Sequence, residues 1–407
     1  MDNAIDLPTQ SISSNIDTTI SEYMVLPLMR MGFNHYYHKT KDKIPHIDEM
    51  SKDSTGKVIK RYRVVNPFEH KLASRKNTSI DFLFHKKYLG EQNVVLNRAL
   101  YKMWEMIVDY NLIPDNKKPL TSVSLAEGPG SFMQAIMVYR KHMAKSTDKD
   151  LYCGITLNDG TVMDSLKMKG GTINCVDNES RMHIFETFPD PTPEQTNGDL
   201  TKTHTIRVMK KALQNKTHKY RGAQLITADG GFTWRNENHQ EQEAIPLILG
   251  EMVTGLNILG KGGNFVIKIF ECYTLPTLKL MAIFSSLFNR CVLCKPATSR
   301  ATNSEKYLIG LNFKGISTAE NRKLLALMDK IERNEGFAVD FMSDVILTEE
   351  FLVGIRDFNI STANRQYELI NRMFKYVDDK NFYGTAYQEY LKLQEQATES
   401  WCKSYLV

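Results

Sequence analysis

The segment Ile226-Thr-Ala-Asp-Gly-Gly-Phe232 constrains the fold of this chain more than any other. It has the pattern of a short apolar strand that ends at Asp229 and continues into two glycines. A carboxylate at the carboxyl end of a parallel strand faces the crevice in which open α/β sheets bind their ligands. Two glycines at that point let the backbone pass close to a bound molecule. We therefore expect Asp229 to lie in a ligand site.

Apolar strands and amphipathic helices alternate along the middle of the chain. One strand begins at Ser122 and continues into a glycine-rich turn. The patterns also predict strands at 151–157, 171–176, 223–228, 264–270, 290–295 and 306–313, and helices at 94–110, 133–140, 243–259 and 277–288. Strands that alternate with helices form a mainly parallel sheet with helices on both faces. The predicted fold class is therefore α/β.

The two ends of the chain differ in composition from this middle part, residues 66–315. Residues 1–65 open with polar residues, of which about the first 20 are expected to be disordered, and continue into a Lys-rich stretch with tyrosines. This extension either contacts RNA, because aromatic and basic side chains hold bases and phosphates, or is an ordinary surface. Residues 316–407 are helical in pattern and acidic. Their aromatic side chains are expected to pack on the core or on a protein partner.

Charge is distributed unevenly along the chain. Of the 52 Lys and Arg and 47 Asp and Glu residues, 11 basic and 15 acidic ones follow residue 315, so the preceding part carries an excess of nine positive charges. Such an excess favours a polyanionic partner, and a solvated basic surface explains it equally well.

Cysteine usage and hydropathy exclude several classes of protein. The six cysteines are too few for a disulfide framework in 407 residues. Cys291 and Cys294 fall in one predicted strand and point to its opposite faces, so we expect no metal site. No apolar run approaches about 18 residues and the amino terminus lacks an apolar signal core, so we expect a soluble protein without a membrane span.

Lys268 is out of place in the apolar strand Phe265-Val-Ile-Lys-Ile-Phe270. A buried lysine is costly unless it is paired or neutral, and beside another cation it loses pKa and can serve as a base. Alternatively, its stem packs while the ammonium group reaches solvent. Asp229 ends a neighbouring strand and Glu305 directly precedes another. Three ionisable groups that converge at one sheet edge are typical of an active site.

The motif Glu127-Gly-Pro-Gly-Ser-Phe132 lies between a predicted strand and a predicted helix. Glycines at this point allow a ligand to approach the backbone, and a helix amino terminus favours polar or anionic groups. Because any tight strand-to-helix turn needs glycine, the motif is only moderately specific by itself.

Taken in order, these motifs resemble those of FtsJ-like (RrmJ-type) RNA ribose 2′-O-methyltransferases. The resemblance rests on Glu127–Phe132, Thr227-Ala-Asp-Gly-Gly-Phe232, Phe265–Phe270 and Lys295-Pro-Ala-Thr-Ser-Arg-Ala-Thr-Asn-Ser-Glu-Lys-Tyr307, and spans about Val94 to Phe313. It is closest to the mRNA cap methyltransferases of eukaryotes and large DNA viruses. It implies a Rossmann-like S-adenosylmethionine-dependent methyltransferase fold with an added N-terminal extension and helical C-terminal region.

The resemblance also implies a catalytic tetrad of Lys102, Asp229, Lys268 and Glu305. Lys102 lies in Leu96-Asn-Arg-Ala-Leu-Tyr-Lys102, which is similar to the family's Leu-Asn-Arg-Ala…Lys helix. By resemblance, Lys268 deprotonates or orients the acceptor 2′-hydroxyl, Asp229 and Lys102 hold and tune it, and Glu305 completes the network. The implied reaction is an in-line displacement of a methyl group from a sulfonium.

The cofactor implied by the resemblance is S-adenosylmethionine. Its expected contacts are Asn97, Glu127, Gly128, Pro129, Gly130, Ser131, Phe132, Asp199, Leu200 and Asp229, with Thr156 and Leu157 near the ribose from strand order. The expected RNA contacts are Asn238, Gln240, Arg300 and Asn303. Two positions depart from the family pattern: Ser124 stands where an acidic residue is frequent, and Ser131 stands where the family has glycine.

Three functions remain open from the sequence. The leading interpretation is a methyltransferase for the first transcribed nucleotides of capped mRNA. The second is a ribosomal or transfer-RNA 2′-O-methyltransferase, and the third is a catalytically silent RNA-binding scaffold. We expect a cytoplasmic protein, in a viral factory or virion if the chain is viral, with the nucleus as the alternative for a cellular protein.

Overall fold

The computed structural model describes most of the chain, and all structural statements refer to this part. The described residues are 3–11, 16–29, 34–52, 54–57, 60–69, 79–90, 95–160, 181–216, 222–231, 235–236, 238–334, 336–379 and 384–406. The strand predicted at 171–176 and Phe232 lie outside them.

Strands and helices occupy most of the described residues. The strands are β1 Ala4–Leu7, β2 Thr18–Ser21, β3 Thr121–Leu125, β4 Leu151–Gly154, β5 Met182–Ile184, β6 Ala223–Ala228, β7 Leu259–Ile269, β8 Phe288–Cys294, β9 Lys306–Phe313 and β10 Phe337–Phe341. The helices are α1 Asn34–Lys41, α2 Lys43–Met50, α3 Ile80–Phe84, α4 Ala99–Tyr110, α5 Ser131–Met143, α6 Thr203–Lys216, α7 Gln240–Glu243, α8 Ile245–Ile258, α9 Leu275–Ser286, α10 Thr318–Glu332, α11 Glu349–Asp378 and α12 Thr385–Tyr405. A 3-10 turn, Lys60–Val65, precedes α3, and a π-helical turn, His85–Leu89, follows it.

Eight strands form one sheet in the order β1-β8-β9-β7-β6-β3-β4-β5. The five strands from β7 to β5 are parallel to one another. Strands β9, β8 and β1 extend the sheet through antiparallel pairings. Strand β9 can run antiparallel to β8 because a loop at 295–305, and no crossover helix, joins them. The prediction of a mainly parallel sheet is confirmed, and the antiparallel edge is an addition to it.

Both faces of the sheet are covered by helices, as predicted. Helices α6, α8 and α9 pack on the face to which Ile226 and Phe265 point. Helices α4 and α5 pack on the other face, to which Leu225 and Val266 point. Cys291 belongs to the first core and Cys294 to the second, so their predicted opposite orientation is confirmed. Burial on both faces explains why the central strands are almost continuously apolar.

The amino-terminal residues are ordered where the structure describes them. Strand β1 pairs with β8, and the Arg290 guanidinium donates to Asp6 Oδ1 at 2.6 Å. Strand β2 pairs with β10 in a separate two-stranded sheet. The prediction that about the first 20 residues are disordered is therefore wrong for these two strands. Pairing explains the order, because β1 satisfies backbone groups that the edge strand β8 would otherwise expose.

The residues after 316 are mainly helical, as predicted, and β10 interrupts them. Trp401 of α12 is 2% exposed and packs in the second core against Tyr101 of α4, so this aromatic side chain lies in the core of the same chain. Within the described segments, no helix is long and apolar enough to cross a membrane.

Candidate active site

Four ionisable side chains meet at the carboxyl edge of the parallel strands. Asp229 directly follows β6, Lys268 is the penultimate residue of β7, and Glu305 directly precedes β9. Lys102 reaches the same edge from the first turn of α4. All four residues were predicted from the sequence, and the structure brings them together.

Asp229 and Lys268 form the first ion pair of the site. Lys268 Nζ lies 3.1 Å from Asp229 Oδ1 and donates to the Asp229 carbonyl oxygen at 2.9 Å. The side chains are 11% and 18% exposed, so both reach the surface of the site. Tyr307, which is opposite Lys268 in the β7–β9 register, donates its hydroxyl to Asp229 Oδ1 at 3.0 Å. The Asp229 carboxylate is thus fixed by two neighbouring strands.

Lys102 and Glu305 form the second ion pair. Lys102 Nζ lies 2.7 Å from Glu305 Oε1 and 2.9 Å from Oε2. Ser299 donates its hydroxyl to the same Oε1 at 2.8 Å. Burial would raise the pKa of Glu305, but the charges of Lys102 and Lys268 outweigh it and hold that pKa well below its ordinary value. Glu305 is therefore a carboxylate coupled to both lysines.

The acidic groups around Lys268 favour its protonated form. Burial lowers the pKa of Lys268, but attraction to Asp229, Glu305 and Glu251 outweighs burial, so its pKa is raised above the ordinary lysine value. The expectation that a neighbouring cation depresses this pKa is therefore wrong. The reason is geometric, since Asp229 Oδ1 lies 3.1 Å from Lys268 Nζ and makes the largest favourable contribution.

Glu251 of α8 lies beneath this site and was missed by sequence reasoning. It is 1% exposed, and its Oε1 accepts the Gly230 N–H at 3.0 Å. Burial raises its pKa to about 8, which Lys268 opposes and Asp229 reinforces. A single charge inside the apolar sequence of α8 is the same signal that singled out Lys268 in β7, and it could have identified Glu251.

Lys295 and Glu105 fix the loop that carries Glu305. Lys295 Nζ donates to the Asn303 carbonyl and side-chain oxygens, both at 2.9 Å, and to the Glu305 carbonyl at 2.7 Å. Glu105 of α4 accepts the N–H groups of Ala297 at 2.6 Å and Thr298 at 2.9 Å. The position of Glu305 thus depends on buried charges that the sequence motif did not assign.

The glycine-rich turn lies beside Asp229, with its acidic residue directed inward. Glu127 Oε1 accepts the backbone N–H groups of Phe132 at 2.9 Å and Met133 at 3.1 Å, and so satisfies the first turn of α5. Burial raises the pKa of Glu127 to about 8, while these hydrogen bonds act to lower it. The Phe132 ring is buried near Tyr307, so only its backbone can reach a ligand. Pro129 belongs to the same turn.

Gly130 and Ser131 are suited to contact a ligand. Gly130 has φ 117°, a conformation that favours glycine, and it directly precedes α5. The Ser131 hydroxyl oxygen is buried, and no described residue forms a hydrogen bond with it. A buried hydroxyl without a protein partner fits a polar ligand at the amino terminus of α5. Gly128, two residues before Gly130, completes the turn.

The next two loops meet the same edge of the sheet. Thr156 and Leu157 follow β4, and Leu157 is 44% exposed, which suits an apolar contact with a ligand. The Asn158 N–H donates to the Asn197 carbonyl at 2.8 Å and ties this loop to the one that carries Asp199. Asp199 Oδ1 accepts the Thr201 N–H at 2.9 Å, so one carboxylate oxygen stabilises its own turn.

Leu200 and Asn97, which were predicted to contact the cofactor, make contacts within the protein. The Leu200 side chain is 3% exposed and packs in the first core, so it does not face the sheet edge. Asn97 is exposed, and its Oδ1 accepts the Ala99 N–H at 2.8 Å where α4 begins.

A cleft of about 330 Å³ adjoins Glu305 and contains three of the four predicted RNA residues. Gln240, Arg300 and Asn303 line it, together with Lys41, Tyr62, Arg63 and Phe270 among others. Asn238 does not line this cleft and instead donates to Asp42 Oδ1 at 2.8 Å. The partly exposed guanidinium groups of Arg63 and Arg300 make this cleft the candidate RNA surface.

Comparison with known proteins agrees with this geometry. The family model of the FtsJ-like methyltransferases matches residues 95–313. Cap-specific mRNA (nucleoside-2′-O-)-methyltransferase 1 of Dictyostelium discoideum is 27% identical over 295 residues, which are 70% of this chain and 38% of that protein. The probable methyltransferase EP424R of African swine fever virus is 27% identical over 288 residues, which are 70% of this chain and 64% of that protein.

This chain thus spans less than two thirds of the length of either relative. A solved structure from Plasmodium falciparum, assigned as a ribosomal RNA methyltransferase, has a TM-score of 0.39 and 20% identity, and covers 54% of this chain and 99% of that one. The family match covers more than half of the 407 residues and contains all four tetrad positions, so the chain belongs to the FtsJ-like methyltransferase family.

Proposed function

We propose that this protein is an S-adenosylmethionine-dependent RNA ribose 2′-O-methyltransferase that acts at the 5′ end of capped mRNA. The observation that carries the proposal is the pair of ion pairs, Lys268–Asp229 and Lys102–Glu305, at one sheet edge. This edge adjoins the turn at Gly130, and Glu305 also lines the cleft that contains Arg63 and Arg300. A donor site on one side and an acceptor site on the other are what methyl transfer requires.

The loops at the sheet edge fit the proposed cofactor. The turn at 127–132 and the loops after β4 and before α6 would hold it, with the Ser131 hydroxyl as a polar contact and Leu157 as an apolar one. When bound, S-adenosylmethionine supplies a methyl group on a sulfonium sulfur, which becomes a neutral thioether as the ribose oxygen takes the methyl group. The anionic Asp229 and Glu305 favour a cationic donor at this edge.

Lys268 is the group proposed to handle the proton of the acceptor hydroxyl. Its ammonium group has three hydrogens, and two of its contacts are with Asp229. The remaining N–H can orient the acceptor oxygen. The ammonium form would be disfavoured beside a bound cationic donor, so Lys268 could release one proton to solvent before reaction. The resulting neutral amine could then take up the hydroxyl proton as the new C–O bond forms. Lys102, which is paired with Glu305, would neutralise the charge of that second carboxylate.

Specificity for capped mRNA is supported by one relative and by the cleft. The relative in Dictyostelium carries the name of a cap-specific methyltransferase. Arg63 and Arg300 line the cleft beside Glu305, next to the largely buried rings of Tyr62 and Phe270. The several phosphates of a 5′ end suit guanidinium groups at such a surface. Ribosomal or transfer RNA and a silent scaffold are the alternatives.

Methyl transfer to three versions of one short RNA tests the proposal. The RNA would carry a 5′ cap, a 5′-triphosphate or a 5′-hydroxyl, and incorporation of labelled methyl would be located at the ribose by nuclease digestion. We expect transfer to the capped RNA alone. Equal rates on all three would contradict the cap assignment. Transfer to none, with S-adenosylmethionine still bound, would favour the silent scaffold.

A further inference from the structure

One glutamate, Glu69, gathers three arginines beside the active site. Arg300 donates through Nη2 to Glu69 Oε1 at 2.7 Å and through Nε to Oε2 at 2.8 Å. Arg98 donates to Glu69 Oε2, and Arg63 Nη1 lies 3.6 Å from Oε1. The four side chains are between 15% and 32% exposed, so the cluster is only partly screened by solvent.

The cluster carries an excess of positive charge. Burial would raise the pKa of Glu69, but the hydrogen bond from Arg300 and the charge of Arg98 outweigh burial and hold it at about 2. Glu69 is therefore ionised at neutral pH and balances only one of the three guanidinium groups. The tetrad, with two lysines and two carboxylates, has no such excess.

Two of the three arginines face the candidate RNA surface. Arg63 and Arg300 line the same cleft as Glu305, whereas Arg98 joins the cluster through Glu69. Arg98 Nη2 donates to the Thr298 carbonyl at 2.6 Å, while its buried Nε has no partner among the described residues. Guanidinium groups held in fixed orientations match the geometry of phosphate oxygens. An ordinary structural ion pair needs one arginine for one carboxylate, and the cluster around Glu69 has two further arginines.

We infer that Glu69 is a positioning residue that holds Arg63, Arg98 and Arg300 as a phosphate-binding site for the 5′ end of the RNA substrate. The inference rests on the proposed function for the identity of the ligand. Glu69 would not touch the RNA, and it would act by fixing the arginines that do.

Replacement of Glu69 distinguishes a positioning role from a simple effect of charge, because the two predict opposite changes in RNA affinity. Glu69→Gln adds one positive charge, so charge alone predicts tighter RNA binding. If Glu69 positions the arginines, affinity for a capped RNA should fall by about tenfold, as expected when about one charge-assisted hydrogen bond to phosphate is removed. Glu69→Asp keeps the charge but shortens the side chain, and it should also weaken binding. Glu399→Gln, at an exposed position of α12, is the control for the added charge.

Fluorescence anisotropy at several salt concentrations would provide the readout. The slope of log affinity against log salt should become shallower by about 0.7 for each phosphate of a single-stranded RNA that the variant no longer neutralises. Weaker binding of capped and 5′-triphosphate RNA but not of 5′-hydroxyl RNA would identify the terminal phosphates as the ligand. Equally weakened binding of all three would identify internal backbone phosphates as the ligand, which would support a phosphate-binding cluster but contradict its assignment to the 5′ end.

Tighter or unchanged binding by Glu69→Gln, with the wild-type salt slope, would overturn the inference. Thermal unfolding of both Glu69 variants shows whether they fold, and Arg300→Gln is a second variant that should lower affinity and slope if folding fails in the first. Binding is measured apart from methyl transfer. A protein that binds RNA through this cluster but transfers no methyl would therefore contradict the proposed function and leave the inference standing.

Discussion

The exchange Glu251→Gln would show whether the carboxyl beneath the candidate active site is protonated. Glu251 is buried, its Oε1 accepts the Gly230 N–H at 3.0 Å, and burial raises its pKa from 4.5 to about 8. Glutamine keeps a carbonyl oxygen for Gly230 but cannot ionise. The variant therefore removes the titration while it preserves the hydrogen bond.

The size of the effect follows from the raised pKa. The folded protein binds one more proton than the unfolded chain between pH 4.5 and about 8, so stability due to the neutral carboxyl is present below pH 4.5 and is lost as the pH rises through this window. At about 1.36 kcal/mol per pH unit, the loss amounts to roughly 3 kcal/mol at pH 7 and roughly 5 kcal/mol above pH 8. The Glu251→Gln variant should show no such loss of stability as the pH rises.

Urea unfolding of the wild type and of Glu251→Gln between about pH 5 and pH 9 would measure this difference. The free energy of unfolding of the wild type, relative to the variant, should fall steadily with pH by a few kcal/mol. Glu399→Gln is the control for loss of a carboxyl at an exposed position. At pH 7 the neutral carboxyl resembles the amide, so methyl transfer by Glu251→Gln should stay close to wild type. A stability difference that is constant across this range would refute the reasoning.

Three other exchanges test the site and its supports. Lys268→Ala should lower kcat for methyl transfer by about 10² to 10⁴-fold and leave the affinity for S-adenosylmethionine nearly unchanged by calorimetry, because Lys268 acts on the acceptor proton; retained turnover would contradict that role. Trp401→Phe removes the indole N–H that donates to Glu105 at 3.0 Å. The variant should lower the free energy of unfolding in urea by about 1–3 kcal/mol and should reduce turnover. An unchanged free energy of unfolding would contradict this support role. Gly250→Ala places a Cβ 2.2 Å from the Leu200 carbonyl oxygen. The overlap should destabilise the protein by about 1–3 kcal/mol in thermal unfolding. An unfolding midpoint equal to that of the wild type would show that α8 can move to relieve the overlap.

Much of the fold could be predicted because the central strands have strong apolar patterns. Strand β6 has the predicted bounds, and β9 also begins and ends where its pattern does. Strands β1 and β5, with four and three residues, are too short for a periodic pattern to identify. Each of these strands forms because its backbone pairs with a neighbouring strand, and its own residues give little indication of a strand.

The positions of the site residues were more predictable than their electrostatics. Lys268 and Asp229 stand at strand ends, and strand order alone brings such ends together. The direction of the pKa shift of Lys268 depends on which ionisable groups lie nearby in space, and these are acidic side chains from three separate parts of the chain. Glu69 and Arg300 are 231 positions apart, so no local pattern indicates that they pair.

The segments outside the family match contribute to the site by holding the loop of Glu305. Glu105 accepts hydrogen bonds from the backbone of this loop on one side and from Trp401 of α12 on the other. Gln394, also on α12, donates to the carbonyls of Val64 and Asn66 at 2.9 and 2.7 Å, and so holds the turn that leads to Glu69. One terminal helix thereby fixes both the loop that carries a tetrad carboxylate and the segment that presents the arginines. Since rigid support of charged groups lowers the cost of reorganisation during a reaction, α12 supports the proposed active site by positioning its charged residues.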